Sequence, residues 1–122
     1  MATIPEIQHV QVAMPKGGED DARAFYGELL GFAEIEKPAS LAGRGGVWFQ
    51  TGNMQLHVGV EQDFAPAKKA HIAYLVDVLE VMKRRLEAAN LPITYDVPLE
   101  GFDRLHTTDV FGNRVELLTR IA

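Results

Sequence analysis

Two helical stripes, each preceded by one alternating segment and followed by three, divide the 122 residues into similar halves. In the first stripe Ala22, Phe25, Tyr26, Leu29 and Leu30 recur at i, i+3, i+4, i+7 and i+8, the apolar face of an amphipathic helix. Gly31 follows, a residue free to close a helix in the left-handed conformation. In the second, Leu79, Met82, Leu86 and Ala89 carry the stripe and Asn90 closes it. Asp77, with Glu80 three residues on, can cap its first turn as a partial capping box. Period-two alternation predicts strands at about 6–14, 32–37, 46–51, 53–60, 70–76, 92–96, 103–109 and 113–119. The order is β-α-β-β-β, twice. The modules span 5–60 and 69–120 of a single domain (1–122), joined by the Pro- and Lys-bearing connector Glu61 to Lys69. Each module gives a four-stranded sheet with one face covered by its helix. The other face must be covered or must line a cavity. An α+β fold satisfies this by pairing the two modules into a partly open, cupped barrel with the helices outside.

Hydrophobic residues make up 47% and charged residues 24%, a globular composition. The formal net charge of −5 argues against nucleic acid or an anionic membrane as partner, because both need a basic surface. No apolar run is long enough to span a bilayer. The start, "MATIPEIQHV", lacks the basic and apolar regions of a signal peptide, so a cytoplasmic protein is expected. Without cysteine there is no disulfide framework, thiolate site or thiol nucleophile.

Side chains alternate across a strand, so each strand can be divided into two faces. Val10 and Val12 oppose His9 and Gln11. Leu56, Val58 and Val60 oppose Gln55, His57 and Gly59. Ile72, Tyr74 and Val76 oppose His71 and Ala73. Leu105 and Thr107 oppose Arg104, His106 and Thr108. Val115 and Leu117 oppose Arg114 and Glu116. One histidine on a strand is usually exposed or hydrogen-bonded. Here all four histidines of the chain fall on the polar phase of predicted strands, and Glu116 shares it. An unpaired buried glutamate costs several kcal/mol or is forced neutral, and a divalent cation would compensate it. Imidazole and carboxylate without thiolate suit Zn, Fe(II), Mn, Co or Ni.

In "HVQVAM", "ARAFYGELLGF", "KAHIAYLV" and "DVFGNRVELL" the chain resembles the vicinal oxygen chelate superfamily. That superfamily includes glyoxalase I, extradiol dioxygenases, fosfomycin-resistance enzymes, methylmalonyl-CoA epimerase and bleomycin-resistance proteins. Each motif is loose, but their order and spacing cover nearly the whole chain. The resemblance implies His9, His71 and Glu116 as ligands of a divalent metal ion, leaving positions open for a bidentate substrate. His57 lies where glyoxalase I has a glutamate that is ligand and base. His106 lies where several members have a substrate-contacting tyrosine. His57 could complete the coordination shell or act as a base, and His106 could donate a hydrogen bond or transfer a proton; these two are the candidate proton-transfer groups. Val110 follows Asp109 where the family usually has proline, a variation of the turn.

Gln11, Trp48, Gln50, Gln55, Arg104 and Arg114 are candidate substrate contacts. "LAGRGG" (Leu41 to Gly46) matches no phosphate-binding loop, because no helix follows it, and reads as a hairpin or pocket lip. "PLEGFD" (Pro98 to Asp103) is its counterpart. The resemblance implies a small-molecule substrate and a homodimer, the latter also expected from sheet edges that need covering. The preferred function is a metal-dependent, glyoxalase-like lyase or isomerase. The alternatives are a bleomycin-resistance-type binding protein, an extradiol-type dioxygenase and a fosfomycin-type transferase.

Overall fold

The computed structural model describes residues 2–121. They form two compact units that divide between Phe64 and Ala65. In the first, β1 (His9–Met14) leads into a helix and then β2 (Ala33–Ile35), β3 (Val47–Thr51) and β4 (Met54–Val60). The sheet order is β1-β4-β3-β2, with β1 and β4 parallel and the other pairs antiparallel. The second unit holds β5 (Ile72–Leu75), a helix, β6 (Phe102–Thr108) and β7 (Arg114–Arg120) in the order β5-β7-β6. Again the first strand is parallel to the last, and the remaining pair is antiparallel. Among the described residues no helix is long and apolar enough to cross a membrane.

The first helix departs from the α-helix that its spacing predicts. One α-turn, α1 (Glu19–Ala22), passes into a π-helical stretch over Arg23–Leu29. The wider turn, with Leu30 N–H donating to the Phe25 carbonyl, shifts the inner face by one residue. Leu30 rather than Leu29 joins Ala22, Phe25 and Tyr26 in the core. Phe25 meets Tyr26 edge-on at 4.8 Å, and Tyr26 lies 5.9 Å from Phe49. Fully burying each such side chain contributes roughly 1.5–3 kcal/mol. Gly31 closes this helix at φ +83°, and Asn90 closes α2 (Leu79–Ala88) at φ +57°, both in the left-handed region.

Two other expectations fail locally. The capping box of α2 does not form. The Asp77 carboxylate instead accepts the neighbouring Val78 N–H at 2.8 Å, and the helix starts without a side-chain cap. The strand predicted at 92–96 shrinks to one bridge, Thr94 with His106, whose two backbone bonds are 2.9 and 2.8 Å. Pro92 lacks a donor, and the Asp96 carboxylate takes the Val97 N–H at 2.7 Å, so the ladder cannot propagate. The second sheet therefore has three strands and a remnant of the fourth.

The turn before β7 fixes the register on which the site depends. Asp109, 1% exposed, accepts the backbone N–H groups of Phe111 and Asn113 on one oxygen and the Asn113 side-chain amide on the other, each at 2.9 Å. Asn113 Oδ1 in turn accepts the Ala67 N–H at 3.0 Å. These bonds satisfy a carboxylate that would otherwise be costly to bury. They also hold Gly112 at φ +94°, a conformation that glycine adopts without a Cβ clash.

Candidate metal centre and the paired histidine stack

Antiparallel pairing about Phe111 places His106 directly opposite Glu116. On the other side of β7, Glu116 pairs with Ala73 of β5, and His71 lies two residues earlier, just before that strand begins. The three side chains converge on one carboxylate oxygen. His71 Nε2 is 3.0 Å and His106 Nε2 2.9 Å from Glu116 Oε1. Arg104 Nη1 is 3.4 Å from the same oxygen. Glu116 and His106 are buried, and His71 is partly open to solvent.

The donor set can be tested against a divalent cation. His71 Nδ1 lies 2.8 Å from the Lys69 carbonyl, which can only accept, so Nδ1 carries the proton. A neutral ring with that tautomer presents its Nε2 lone pair toward Glu116. A lone pair facing a carboxylate oxygen at 3.0 Å is unfavourable unless a proton or a cation lies between them. This backbone bond is also the usual support of a metal-ligating histidine, fixing its tautomer and orientation. The ligand atoms of His71, His106 and Glu116 all lie within 4.8 Å of one another. Tetrahedral zinc at about 2.1 Å holds its ligand atoms about 3.4 Å apart, so small side-chain movements suffice. The residues fit a divalent ion. His106 Nδ1, buried without a hydrogen-bond partner among the described residues, is the imperfect element of the set.

The first unit repeats the same three backbone positions with different chemistry. Trp48 of β3 lies opposite His57 of β4, and Gln11 of β1 pairs with His57 on the other side. His9 lies two residues before Gln11, as His71 lies two before Ala73. The rings stack in the order Trp48, His57, His9. Trp48 and His57 are parallel within 1° at 3.7 Å, and His57 and His9 within 13° at 4.2 Å. His57 Nε2 is 3.0 Å from Gln55 Oε1. Burial, and then the nearby charge of His9, push the His57 pKa below the ordinary histidine value.

The structure thus brings His71, His106 and Glu116 together in one unit, and His9, His57, Trp48 and Gln55 in the other. Gln11 lies across Gly59, where a Cβ would come within 2.5 Å of its amide nitrogen. With Trp48, Gln11 lines a cavity of about 240 Å³ that also contains Lys37 and Arg44. Gln50 Nε2 is committed to the carbonyls of Gly52 and Met54 at the β3–β4 turn. Arg114 lines a cavity of about 250 Å³ with Lys68, Thr94, Thr108 and His106.

Lys37, Arg44, Lys68 and Thr94 are not legible as site residues in the sequence: Lys37 and Thr94 fall within predicted strands like many other residues, and Arg44 and Lys68 lie in loops with no periodic signal. Sequence reading gave His106 a substrate-contacting or proton-transfer role and not that of a ligand. The hairpin held a clue to its place beside Glu116, since residues 106 and 116 are equidistant from Phe111 in "DVFGN".

No family model matches the chain, and no curated protein does. Among solved structures it is similar to a glyoxalase family protein from Bacillus anthracis, 44% identical over 99% of both chains with a TM-score of 0.93. A lactoylglutathione lyase from Agrobacterium tumefaciens is 22% identical, matching over 97% of this chain and 96% of its own, with a TM-score of 0.74. TnmS3, an antibiotic binding protein from Streptomyces sp. CB03234, is 16% identical over 99% of this chain and 100% of its own, with a TM-score of 0.77. The last two share the fold.

Proposed function

Because the chain belongs to the glyoxalase family, and with it to the vicinal oxygen chelate superfamily, we propose that it is a small metal-dependent enzyme acting on a metabolite with neighbouring oxygens. Lyase or isomerase chemistry of the glyoxalase kind is the preferred reaction. The observation that carries this reading is the convergence of His71 Nε2, His106 Nε2 and Glu116 Oε1 in one compact unit. The resemblance adds His9 to the ligand set. When bound, a divalent ion supplies Lewis acidity toward the substrate oxygens.

The protein's own groups do the remaining work. His57 is kept neutral near pH 7 by its lowered pKa. With its Nε2–H donated to Gln55, its Nδ1 lone pair is free to accept a proton. Lys68, Arg114, Thr94 and Thr108 line the cavity beside His106, and among the described residues no carboxylate lines it, although Arg114 Nη2 also faces Asp96 at 3.7 Å. That supports an anionic end to the substrate. A cytoplasmic homodimer completes the proposal, and sedimentation equilibrium at micromolar concentration checks the assembly.

One observation favours a second reading, a metabolite- or drug-binding protein without metal. Glu116 Oε1 already faces three protein nitrogens, so its burial is compensated without an ion if the imidazoles donate. Protein purified without an affinity tag separates the two. After dialysis it is titrated with Zn, Ni, Co, Mn and Fe(II), then assayed with a 2-oxoaldehyde plus thiol, a catechol and an epoxide. The enzyme reading expects one ion per chain, lost in His71→Ala, and turnover that depends on the ion. Absence of ion uptake hands the case to the binding protein.

A further inference from the structure

Arg104 is the one permanent cation at the Glu116 carboxylate among the described residues. It sits two residues before His106 on β6, on the same face, opposite Leu118. Nη1 approaches Glu116 Oε1, the oxygen on which His71 and His106 converge. Nη2 donates to the Val97 carbonyl, and Nε is buried with no hydrogen-bond partner among the described residues. The side chain is only 17% exposed, so water screens its charge poorly.

From this placement we infer that Arg104 is a built-in competitor for Glu116, setting how tightly the centre holds a divalent cation. The inference rests on the reading of His71, His106 and Glu116 as a metal centre. A divalent ion needs the oxygen that the guanidinium faces, and it brings two further positive charges to within a few ångströms of that guanidinium. Like charges at that range repel, and the ion must either displace Arg104 or bear its field. The 3.4 Å contact is long for a charge-assisted hydrogen bond, and the unpartnered Nε leaves the group incompletely anchored. An alternative place for the guanidinium is at hand. Arg104 also lines a cavity of about 510 Å³ whose other lining residues include Asp77, Glu80 and Asp103. Arg104 thus neutralises Glu116 when no ion is bound and weakens the hold on an ion when one is.

The test compares Arg104→Gln, which removes the charge but keeps a donor, with Arg104→Lys, which keeps the charge. Affinity for Zn and Mn is read by competition with a chromogenic chelator, and thermal unfolding is followed with and without ion. The expected result is a gain of at least ~10-fold in affinity for Arg104→Gln and little change for Arg104→Lys. Metal-free Arg104→Gln should also melt below the wild type, with a larger rise on adding ion. If Arg104→Gln does not fold, Arg104→Met makes the same measurement with a side chain of similar length. Equal or weaker binding by the folded uncharged variant, with ion still bound by the wild type through His71, overturns this inference alone. Binding by Arg104→Gln but not by the wild type supports it, provided His71→Ala abolishes the gain. Binding by neither overturns it together with the metal reading.

Discussion

The two units place three side chains at equivalent points of equivalent sheets and obtain opposite results. Trp48, His57 and His9 in the first correspond by strand pairing to His106, Glu116 and His71 in the second. Two of the three positions differ, the one on the central strand and its hairpin partner. An imidazole on the central strand is flat, its neighbours stack on it face to face, and its burial lowers its pKa. A carboxylate there is a concentrated negative charge, and its neighbours turn nitrogen atoms toward one oxygen. The backbone frame is thus indifferent to chemistry: the same positions hold a stack of aromatic rings in one unit and, in the other, a His-His-Glu cluster that could hold a metal ion.

The strongest test of that contrast is to remove one imidazole from each unit. His71→Ala should lose bound metal, as determined by metal analysis after dialysis. His57→Ala should keep metal and, on the enzyme reading, lose turnover by ~10²–10⁴-fold. Equal loss of metal in both would mean that the stack is not chemically separate from the carboxylate cluster. His9→Ala sharpens the point, since the resemblance expects it to behave like His71→Ala.

Next in size is the central carboxylate itself. Glu116→Ala leaves Arg104 charged and its neighbours without their shared acceptor, and should cost about 3–5 kcal/mol in urea unfolding. His57→Ala should cost less, because it uncovers no opposite charge. A reversed order would show that stacking, not charge pairing, dominates the packing.

A smaller effect follows from the lowered pKa of His57. The unfolded chain binds a proton at an ordinary histidine value of about 6.5, and the folded chain only at lower pH. Stability contributed by the neutral ring is therefore present above about 6.5 and lost as pH falls through the folded-state value. His57→Gln should flatten the stability profile in that window. A wild-type profile already flat below pH 6.5 would contradict the assignment.

The smallest effect is expected of Gly59→Ala. Its Cβ would meet the movable end of Gln11, so the fold should tolerate it within about 1 kcal/mol. Ligand binding in the cavity beside Trp48 should weaken if Gln11 is a substrate contact. Unchanged binding of a ligand known to need Trp48 would remove Gln11 from that role.

Much of this was legible in the chain. Alternation identified both faces of β4, β6 and β7, and the buried residues Leu56, Val58, Leu105, Val115 and Leu117 fall on the expected phase. Gly31 and Asn90 marked the helix ends because few residues tolerate a positive φ. The π turn after Ala22 was not legible, since apolar spacing of three and four also fits a helix bonded one residue wider. Nor was the collapse of the strand at 92–96, where local capture of Val97 by Asp96 competes with the ladder.

What the sequence determined by itself was the repeated order of elements, short of one strand in the second half, the phase on which His9, His57, His106 and Glu116 lie, and the family. Those follow from periodicity and local backbone preference, which act between near neighbours in the chain. Tertiary structure alone decided which polar residues meet. That Trp48 covers His57, that His106 stands opposite Glu116, and that Arg104 reaches the same oxygen depend on strand register. A slip of one residue would send each side chain to the other face of its sheet, and register is set by turns and by burial of the opposite face, not by the residues that finally touch.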